Sequence, residues 1–183
     1  MSSIRSARFL AASTCLRILL TPVIMAMLME GADRTLTALL FAVAAATDWI
    51  DGKLARRWGV TTKLGSFLDT TADKLLVTAA LIALVGTDRV SPWIAAIIVG
   101  RELVILGLRG AVAVDGAVIT PSIWGKLKTT IQFVAILLAI LRPGQPIGGL
   151  YLDEWVMLVA AFITVMSAVD YLQRFAPALT GRD

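Results

Sequence analysis

Four aspartates in two pairs are the residues of this sequence best suited to chemistry. Asp48 and Asp51 are three residues apart, and Asp69 and Asp73 are four apart. At about 100° of rotation per residue, these spacings place both members of a pair on one face of an α-helix. Carboxylates gathered in this way repel one another unless cations lie between them. The spacing therefore predicts either a metal site or a set of ion pairs.

A hard divalent cation is the better match of the two. Lys53, Arg56 and Lys74 could form ion pairs that cap helix ends, but such pairs do not explain why small residues flank both carboxylate pairs. Mg²⁺ prefers carboxylate and phosphate oxygens and keeps coordination positions open for a substrate. Because the sequence contains no histidine and one cysteine, a Cys/His zinc site, a Cys–His nucleophile and a Ser-His-Asp triad are excluded.

Small residues accompany both pairs of aspartates. Gly52 and Ala55 lie within about 60° of Asp48 around a helix, and Gly65 precedes Asp69 by one turn. Residues with little or no side chain leave the backbone accessible, so that a bulky ligand can approach closely. We therefore expect a phosphorylated ligand beside the carboxylates.

A second group of charged residues is basic. Arg101 and Arg109 are two helical turns apart on similar faces, and Lys126 and Lys128 open the next apolar run. Arginine offers a bidentate fork and lysine a point charge, and both suit the phosphate of an anionic ligand. Anchoring at the membrane surface is the alternative for the lysines. An Arg101–Glu102 contact is a further alternative, although adjacent residues on a helix do not face each other well.

The apolar composition indicates that these charges are positioned by membrane-spanning helices. Of 183 residues, 58% are apolar and 16% are charged, against roughly 25% charged in soluble domains. The apolar runs predict an all-α polytopic membrane protein with six transmembrane helices in a single domain over residues 1–183. The second and third runs are short because polar residues interrupt their inner ends. The predicted spans are Phe9–Met29, Thr35–Ile50, Ala72–Val85, Pro92–Val114, Pro121–Leu141 and Asp153–Phe175.

The distribution of basic residues predicts the orientation. The 17 basic and 13 acidic residues give a net charge of +4. If the N-terminus lies inside, the basic residues of the outer loops are Arg34, Arg89 and Arg142 alone. The positive-inside rule therefore places both termini in the cytoplasm. The first apolar run is too long for a cleavable signal peptide. In so apolar a chain, the positive charge indicates anionic lipid headgroups or an anionic substrate rather than nucleic acid.

The stretch from Asp48 to Asp73 resembles a family signature. It reads Asp-x-x-Asp-Gly-x-x-Ala-Arg, then eight residues, then Gly-x-x-x-Asp-x-x-x-Asp. This string is similar to the signature of the CDP-alcohol phosphotransferases, with every signature position filled. The resemblance implies a six-helix membrane enzyme, usually a homodimer. It implies transfer of a phosphate-containing group from a CDP-linked donor to an alcohol, with Mg²⁺ or Mn²⁺ as cofactor, in our interpretation two ions.

The same resemblance implies roles for individual residues. Asp73 would be both a metal ligand and the base that accepts the proton of the acceptor hydroxyl. The metal ligands would be Asp48, Asp51, Asp69 and Asp73, and the residues that bind the CDP part of the donor would be Gly52, Ala55, Arg56 and Gly65.

A further resemblance concerns the acceptor. The stretches from Arg101 to Arg109 and from Gly125 to Gln132 are similar to the branch of this family that joins CDP-diacylglycerol to glycerol 3-phosphate and releases CMP. The acceptor phosphate would then be bound by Arg101, Arg109, Lys126 and Lys128. Arg17 in the first span belongs to the same resemblance, and we expect it to face the site rather than to extend toward the membrane surface.

This chain departs from the pattern of the branch at two places. The segment from Arg8 to Thr14 stands where the branch usually has Asn-Ile-Pro-Asn, and Thr70 stands where it usually has proline. Threonine preserves the spacing between Asp69 and Asp73, so we expect the chemistry to survive. The N-terminal difference bears on the identity of the acceptor more than on the class of reaction.

Other functions are compatible with parts of the pattern. Within the family, the alternatives are a cardiolipin synthase, whose acceptor is phosphatidylglycerol, and a phosphatidylinositol-phosphate synthase. From a different class, a divalent-cation transporter or an inactive membrane scaffold would also place aspartates in a membrane. The main interpretation is a phosphatidyltransferase of phospholipid biosynthesis. We expect it in the cytoplasmic (inner) membrane among membrane lipids, with its active site facing the cytoplasm.

Overall fold

The protein is helical throughout the part of the chain that is described. The computed structural model describes residues 2–58, 63–114 and 123–180, with side chains at 12–47, 50, 51, 65, 67–110, 125 and 127–174. Over these ranges there are no strands, apart from an isolated bridge between Ile147 and Leu150. The all-α prediction is confirmed for these residues. The helices are α1 (Ser2–Met29), α2 (Arg34–Trp58), α3 (Lys63–Gly86), α4 (Pro92–Val114), α5 (Ile123–Leu141) and α6 (Leu152–Thr180).

The second and third helices are longer than the predicted spans. Helix α2 continues to Trp58, eight residues beyond the predicted end at Ile50, and α3 begins at Lys63 rather than at Ala72. A helix is maintained by backbone hydrogen bonds, and charged residues with good helix propensity do not end it. The predicted spans mark where the apolar residues end, and the helices continue beyond those points. As a consequence, the aspartates lie within helices.

Helix boundaries at two turns follow local sequence signals. Helix α4 begins at Pro92, as predicted, because proline suits the first position of a helix, where no intrahelical N–H bond is lost. At the start of α2, the backbone N–H of Leu36 donates to Asp33 Oδ1 over 2.7 Å. This bond satisfies one of the free N–H groups of the first turn. The predicted start of α5 at Pro121 lies outside the described residues.

The chain forms two compact units, and the first contains helices α1 to α3. It comprises Met1–Arg89, in which α1 packs against both α2 and α3. Large side chains such as Phe41 and Leu81 are almost completely buried, and alanines at 44, 72, 80 and 83 are buried beside them. Alternation of large and very small residues allows the helices to approach closely. This packing holds the polar faces of α1, α2 and α3 together.

The second unit contains helices α4 to α6. It comprises Val90–Asp183, in which α6 packs against α4 and α5. Its core combines Ile98, Ile136 and Met157 with buried alanines at 135, 139 and 160. Polar side chains are buried in the same unit. A buried charge is tolerated there only where the packing brings a hydrogen-bond or ionic partner to it. The single domain over residues 1–183 stays a prediction.

Apolar side chains also cover much of the outer surface. Leu19, Trp93 and Phe162 are 68%, 81% and 66% exposed. By length and composition, the stretches Ala12–Met29 and Leu152–Arg174 are long and apolar enough to cross a membrane. The six-span topology and the cytoplasmic position of the termini stay predictions.

Candidate active site

A buried arginine joins carboxylates from two other helices in the first unit. Arg17 of α1 places Nη1 3.2 Å from Asp69 Oδ1 and Nη2 3.4 Å from Asp51 Oδ2. The Arg17 side chain is completely buried, and that of Asp51 is nearly so. Asp51 belongs to α2 and Asp69 to α3. Arg17 therefore faces acidic residues of both helices, as expected.

The position of Arg17 follows from the pattern of α1. Thr14, Arg17 and Thr21 are buried and recur at intervals of three and four residues, so they share one face. Leu16, Leu19 and Val23 are exposed on the other side of the same helix. The hydroxyl of Thr21 donates to the backbone carbonyl of Arg17 over 2.9 Å. The helix therefore presents its polar face to α2 and α3 and its apolar face outward.

Asp73 lies one turn beyond Asp69 on α3. Its side chain is mostly buried, and its Oδ2 accepts a hydrogen bond from Lys74 Nζ over 2.8 Å. The neighbouring Ala72 is fully buried in the core of the first unit. Lys74 thus forms an ion pair with a site aspartate, which the sequence analysis considered as an alternative. This carboxylate is thus fixed near Asp69 but is held by a different cation.

Several predicted site residues cannot be placed at the level of side chains. Gly65 is on α3, one turn before Asp69, and is exposed. The others are outside the described side chains, so their predicted roles are neither supported nor contradicted by contacts. These residues are Asp48, Gly52, Ala55, Arg56 and Lys126.

The donor atoms of the first unit fit a hard divalent cation. Among the side chains that are described, no three from His, Cys, Asp and Glu meet around one metal position. Asp51 and Asp69 nevertheless approach the same guanidinium from two helices, and both offer only oxygen. Oxygen donors of this kind suit Mg²⁺ or Mn²⁺ and disfavour softer metals. The further ligand that the sequence predicts beside Asp51 is Asp48.

In the second unit, Glu102 neutralises two of the predicted phosphate ligands. Lys128 Nζ donates to the Glu102 carboxylate, and Arg101 Nη1 lies 3.5 Å from Glu102 Oε1. Arg101 Nη2 also donates to Ser167 Oγ over 2.7 Å. The Arg101–Glu102 contact that the sequence left open as an alternative is therefore present. Both side chains are long, and packing in the unit directs both heads toward the buried polar interior.

Helix α6 provides a buried polar stripe, in which the sequence analysis missed Thr164 and Ser167. Thr164, Ser167 and Tyr171 are at most 4% exposed and recur at intervals of three and four residues. Arg109 Nε donates to the Tyr171 hydroxyl over 2.6 Å, and Gln132 Nε2 donates to Thr164 Oγ1 over 2.9 Å. The stripe could have been found from its helical period in an otherwise apolar segment, since polar residues there face protein rather than lipid.

The comparison with known families gives the class of enzyme. A family described as CDP-alcohol phosphatidyltransferase matches residues 11–166, and the chain belongs to this family of transferases. The match includes the acidic residues of α2 and α3, all of α4 and α5, and α6 as far as Met166.

Individual relatives are similar over most of their length. A CDP-diacylglycerol--glycerol-3-phosphate 3-phosphatidyltransferase of Bacillus subtilis is 40% identical over 144 residues, covering 78% of this chain and 74% of the relative. A protein of the same name from Haemophilus influenzae is 41% identical, covering 75% of this chain and 76% of the relative. A probable phosphatidylglycerophosphate synthase of Mycobacterium tuberculosis is 40% identical over 169 residues, covering 88% and 78%.

Proposed function

We propose that this protein transfers the phosphatidyl group of CDP-diacylglycerol to sn-glycerol 3-phosphate, giving phosphatidylglycerophosphate and CMP. The observation that carries the proposal is the convergence of Asp51 and Asp69 from two helices, with Asp73 one turn further along α3. The names of the relatives support this donor and this acceptor.

The proposed cofactor is a pair of Mg²⁺ or Mn²⁺ ions held by the four aspartates of the signature, Asp48, Asp51, Asp69 and Asp73. Bound there, the ions would neutralise the pyrophosphate oxygens of the donor and the charge on departing CMP. The chain itself supplies carboxylates that approach from different helices, and among them Asp51 is buried. Their positions matter because phosphoryl transfer depends mainly on positioning and charge stabilisation.

Asp73 is proposed to act as the base. Its carboxylate takes the proton of the acceptor hydroxyl, whose oxygen forms a bond to the phosphorus that carries diacylglycerol. The bond from that phosphorus to the CMP oxygen breaks, and the electron pair leaves with CMP. Asp73 suits this role because its side chain retains 15% exposure, so that an acceptor can approach it. Lys74 holds the carboxylate in place at 2.8 Å.

The donor nucleotide is proposed to bind along the small residues of the signature. Gly52, Ala55 and Gly65 would leave space for the cytidine and the pyrophosphate, and Arg56 would contribute a positive charge. Gly65 is exposed on α3, which supports access by a ligand to this part of the helix.

The acceptor phosphate is proposed to bind to basic residues of the second unit, Arg101, Arg109, Lys126 and Lys128. Arg109 is the best supported of these because it is exposed while its Nε is fixed by Tyr171. Its remaining N–H groups can then contact a phosphate as a fork. Lys128 is buried against Glu102, so we propose that it contributes less to binding of the acceptor phosphate than the sequence indicated.

The protein is proposed to span the inner membrane six times, with both termini and the active site at the cytoplasmic face, and to form a homodimer. The exposed apolar side chains on α1, α4 and α6 support contact with lipid. The concentration of basic residues in the predicted inner segments supports the orientation.

The test of the proposed function is release of CMP by purified protein in detergent. The protein would receive CDP-diacylglycerol and Mg²⁺ with one acceptor at a time, and EDTA would serve as the blank. We expect turnover with glycerol 3-phosphate and none with phosphatidylglycerol or inositol phosphate. Turnover with phosphatidylglycerol alone would indicate a cardiolipin synthase. Absence of turnover with every acceptor would favour a transporter or a scaffold.

Replacing Arg109 by alanine is expected to raise the KM for glycerol 3-phosphate by roughly 10- to 100-fold, while the KM for CDP-diacylglycerol changes little. A hydrogen bond to a charged group contributes about 1.5–3 kcal/mol, which corresponds to this factor. Steady-state kinetics with each substrate varied in turn provides the measurement. Arg174→Ala is the matched control, since Arg174 is exposed and pairs only locally with Asp170. An equal rise in both KM values would argue against a role specific to the acceptor.

A further inference from the structure

Among the described side chains of the first unit, Arg17 is the most deeply buried charge. Its side chain has no exposed surface, and it touches carboxylates that belong to two other helices. A buried guanidinium is costly unless hydrogen-bonded anions surround it. In α1, the cost is offset by Asp51 and Asp69, which are among the proposed metal ligands. The same two carboxylates are thus engaged by a cation of the protein itself.

The geometry at Arg17 requires an arginine. One terminal nitrogen faces Asp69 and the other faces Asp51, at 3.2 and 3.4 Å. A planar guanidinium presents several donors in a fixed fork, whereas the ammonium of lysine is a point charge on a flexible stem. One arginine can therefore connect two carboxylates whose backbones are on different helices. Lys74 forms an ion pair with Asp73 on its own helix.

We propose that Arg17 is a built-in counter-cation that holds Asp51 and Asp69 together in the metal-free protein and yields their charge to the divalent ions when these bind. The proposal rests on the proposed function, in which these aspartates hold metal. Without any cation, the two carboxylates would repel each other and separate α2 from α3. With Arg17 between them, the site keeps its shape while it is empty of metal. Arg17 is a positioning residue in this account.

The binding of Mg²⁺ is therefore thermodynamically linked to the positive charge of Arg17. Both cations favour the same pair of carboxylates, so each must weaken the binding of the other. Removing the Arg17 charge destabilises the metal-free form and leaves the metal-bound form less affected. A ligand that binds the folded state raises its stability according to its affinity. The stabilisation by Mg²⁺ should therefore be larger in the variant than in the wild type.

The experiment compares thermal unfolding of the wild type, Arg17→Gln and Arg17→Lys in detergent, first in EDTA and then across a Mg²⁺ titration without lipid substrate. In EDTA, we expect the Tm of Arg17→Gln to fall by about 10 °C, as for loss of one partner of a buried ion pair. We expect its Mg²⁺-induced rise in Tm to exceed that of the wild type and to be half complete at a roughly tenfold lower Mg²⁺ concentration. Arg17→Lys should lie between the two. Arg174→Gln, at an exposed local pair, is the matched control.

Several outcomes would overturn the proposal. One is a Tm of Arg17→Gln in EDTA that equals the Tm of the wild type. Another is a Mg²⁺-induced rise in the Tm of Arg17→Gln that is no larger than the rise in the wild type. Failure of Arg17→Gln to fold even in saturating Mg²⁺ would also overturn it, because metal should then replace the missing charge. CMP release by the wild type separates this result from the proposed function. An active wild type with an unremarkable Arg17→Gln variant refutes the role of Arg17 alone, whereas an inactive wild type refutes the function.

Discussion

Replacing Asp73 by asparagine is expected to lower the rate of CMP release by about 10²- to 10⁴-fold, the range associated with loss of a general base. Asparagine has nearly the same size and still offers an oxygen to Lys74, which lies 2.8 Å from the carboxylate. It cannot accept the proton of the acceptor hydroxyl. We therefore expect kcat to fall while the protein remains folded. The measurement is CMP release with saturating CDP-diacylglycerol and glycerol 3-phosphate.

The control for Asp73 is the same chemical change at an exposed aspartate outside the site. Asp88 lies in the turn between α3 and α4 with a backbone φ of 55°, a conformation that asparagine tolerates well. Asp88→Asn should therefore retain wild-type turnover. Near-normal turnover of Asp73→Asn, with an unchanged Mg²⁺-induced rise in Tm, would contradict the assignment of Asp73 as the base. A smaller Mg²⁺-induced rise would reflect the second proposed role of Asp73, as a metal ligand.

Replacing Glu102 by glutamine is expected to destabilise the protein by about 3 kcal/mol, near the lower limit for removing one partner of a buried ion pair. Glu102 is 5% exposed and neutralises both Lys128 and Arg101. Glutamine keeps an acceptor oxygen but no charge, so both cations would stay buried without this carboxylate. A loss of this size lowers the Tm by about 6–12 °C in a chain of this length. Thermal unfolding in detergent provides the measurement.

A second substitution separates the effect of the charge from a general loss of packing. If the ion pair is responsible, Glu102→Gln combined with Lys128→Met should be less unstable than the sum of the two single variants. Glu30→Gln serves as the matched control, because Glu30 is exposed after the end of α1. A Tm of Glu102→Gln within about 1 °C of the wild type, which corresponds to under 0.5 kcal/mol, would contradict the predicted role of this carboxylate.

The acidic part of the candidate site was predictable because its information is local. The spacing within each aspartate pair fixes the helix face, and small neighbours indicate access by a ligand. Asp51 and Asp69 come together once the acidic faces of α2 and α3 are both turned toward the polar face of α1. Arg17 was predictable from resemblance. Its exact partners depend on the packing of α1 against α2 and α3, which periodicity alone does not specify.

The basic part was harder to predict because its partners come from other helices. Glu102 pairs with Lys128 of α5, and Arg109 pairs with Tyr171 of α6. Which side chains meet depends on the rotation of each helix about its axis. The presence of a basic residue in the sequence does not indicate that rotation. A lysine that is neutralised in the core and one that binds a substrate phosphate are identical in sequence. Burial and distance distinguish them.

The helix boundaries illustrate a related difference. Hydropathy predicted where apolar residues end, whereas α2 continues through its charged residues to Trp58. A membrane-spanning segment is defined by its solvent and a helix by its hydrogen bonds, so the two ends need not coincide. Asp51 and Asp69 fall in the interval between them, where a helix carries polar residues beyond its apolar section.

The pairing of Arg17 also has a consequence for biogenesis. Arg17 is synthesised 34 residues before Asp51 and 52 residues before Asp69. In a chain that enters the bilayer helix by helix, α1 arrives with a positive charge whose acidic partners are still within the ribosome. Insertion of an arginine at the centre of a helix costs about 2.5–3.5 kcal/mol, which the leucines on the outer face of α1 can offset during the interval. The positive charge of Arg17 is then neutralised during assembly, and its neutralisation is complete only when α3 packs against α1.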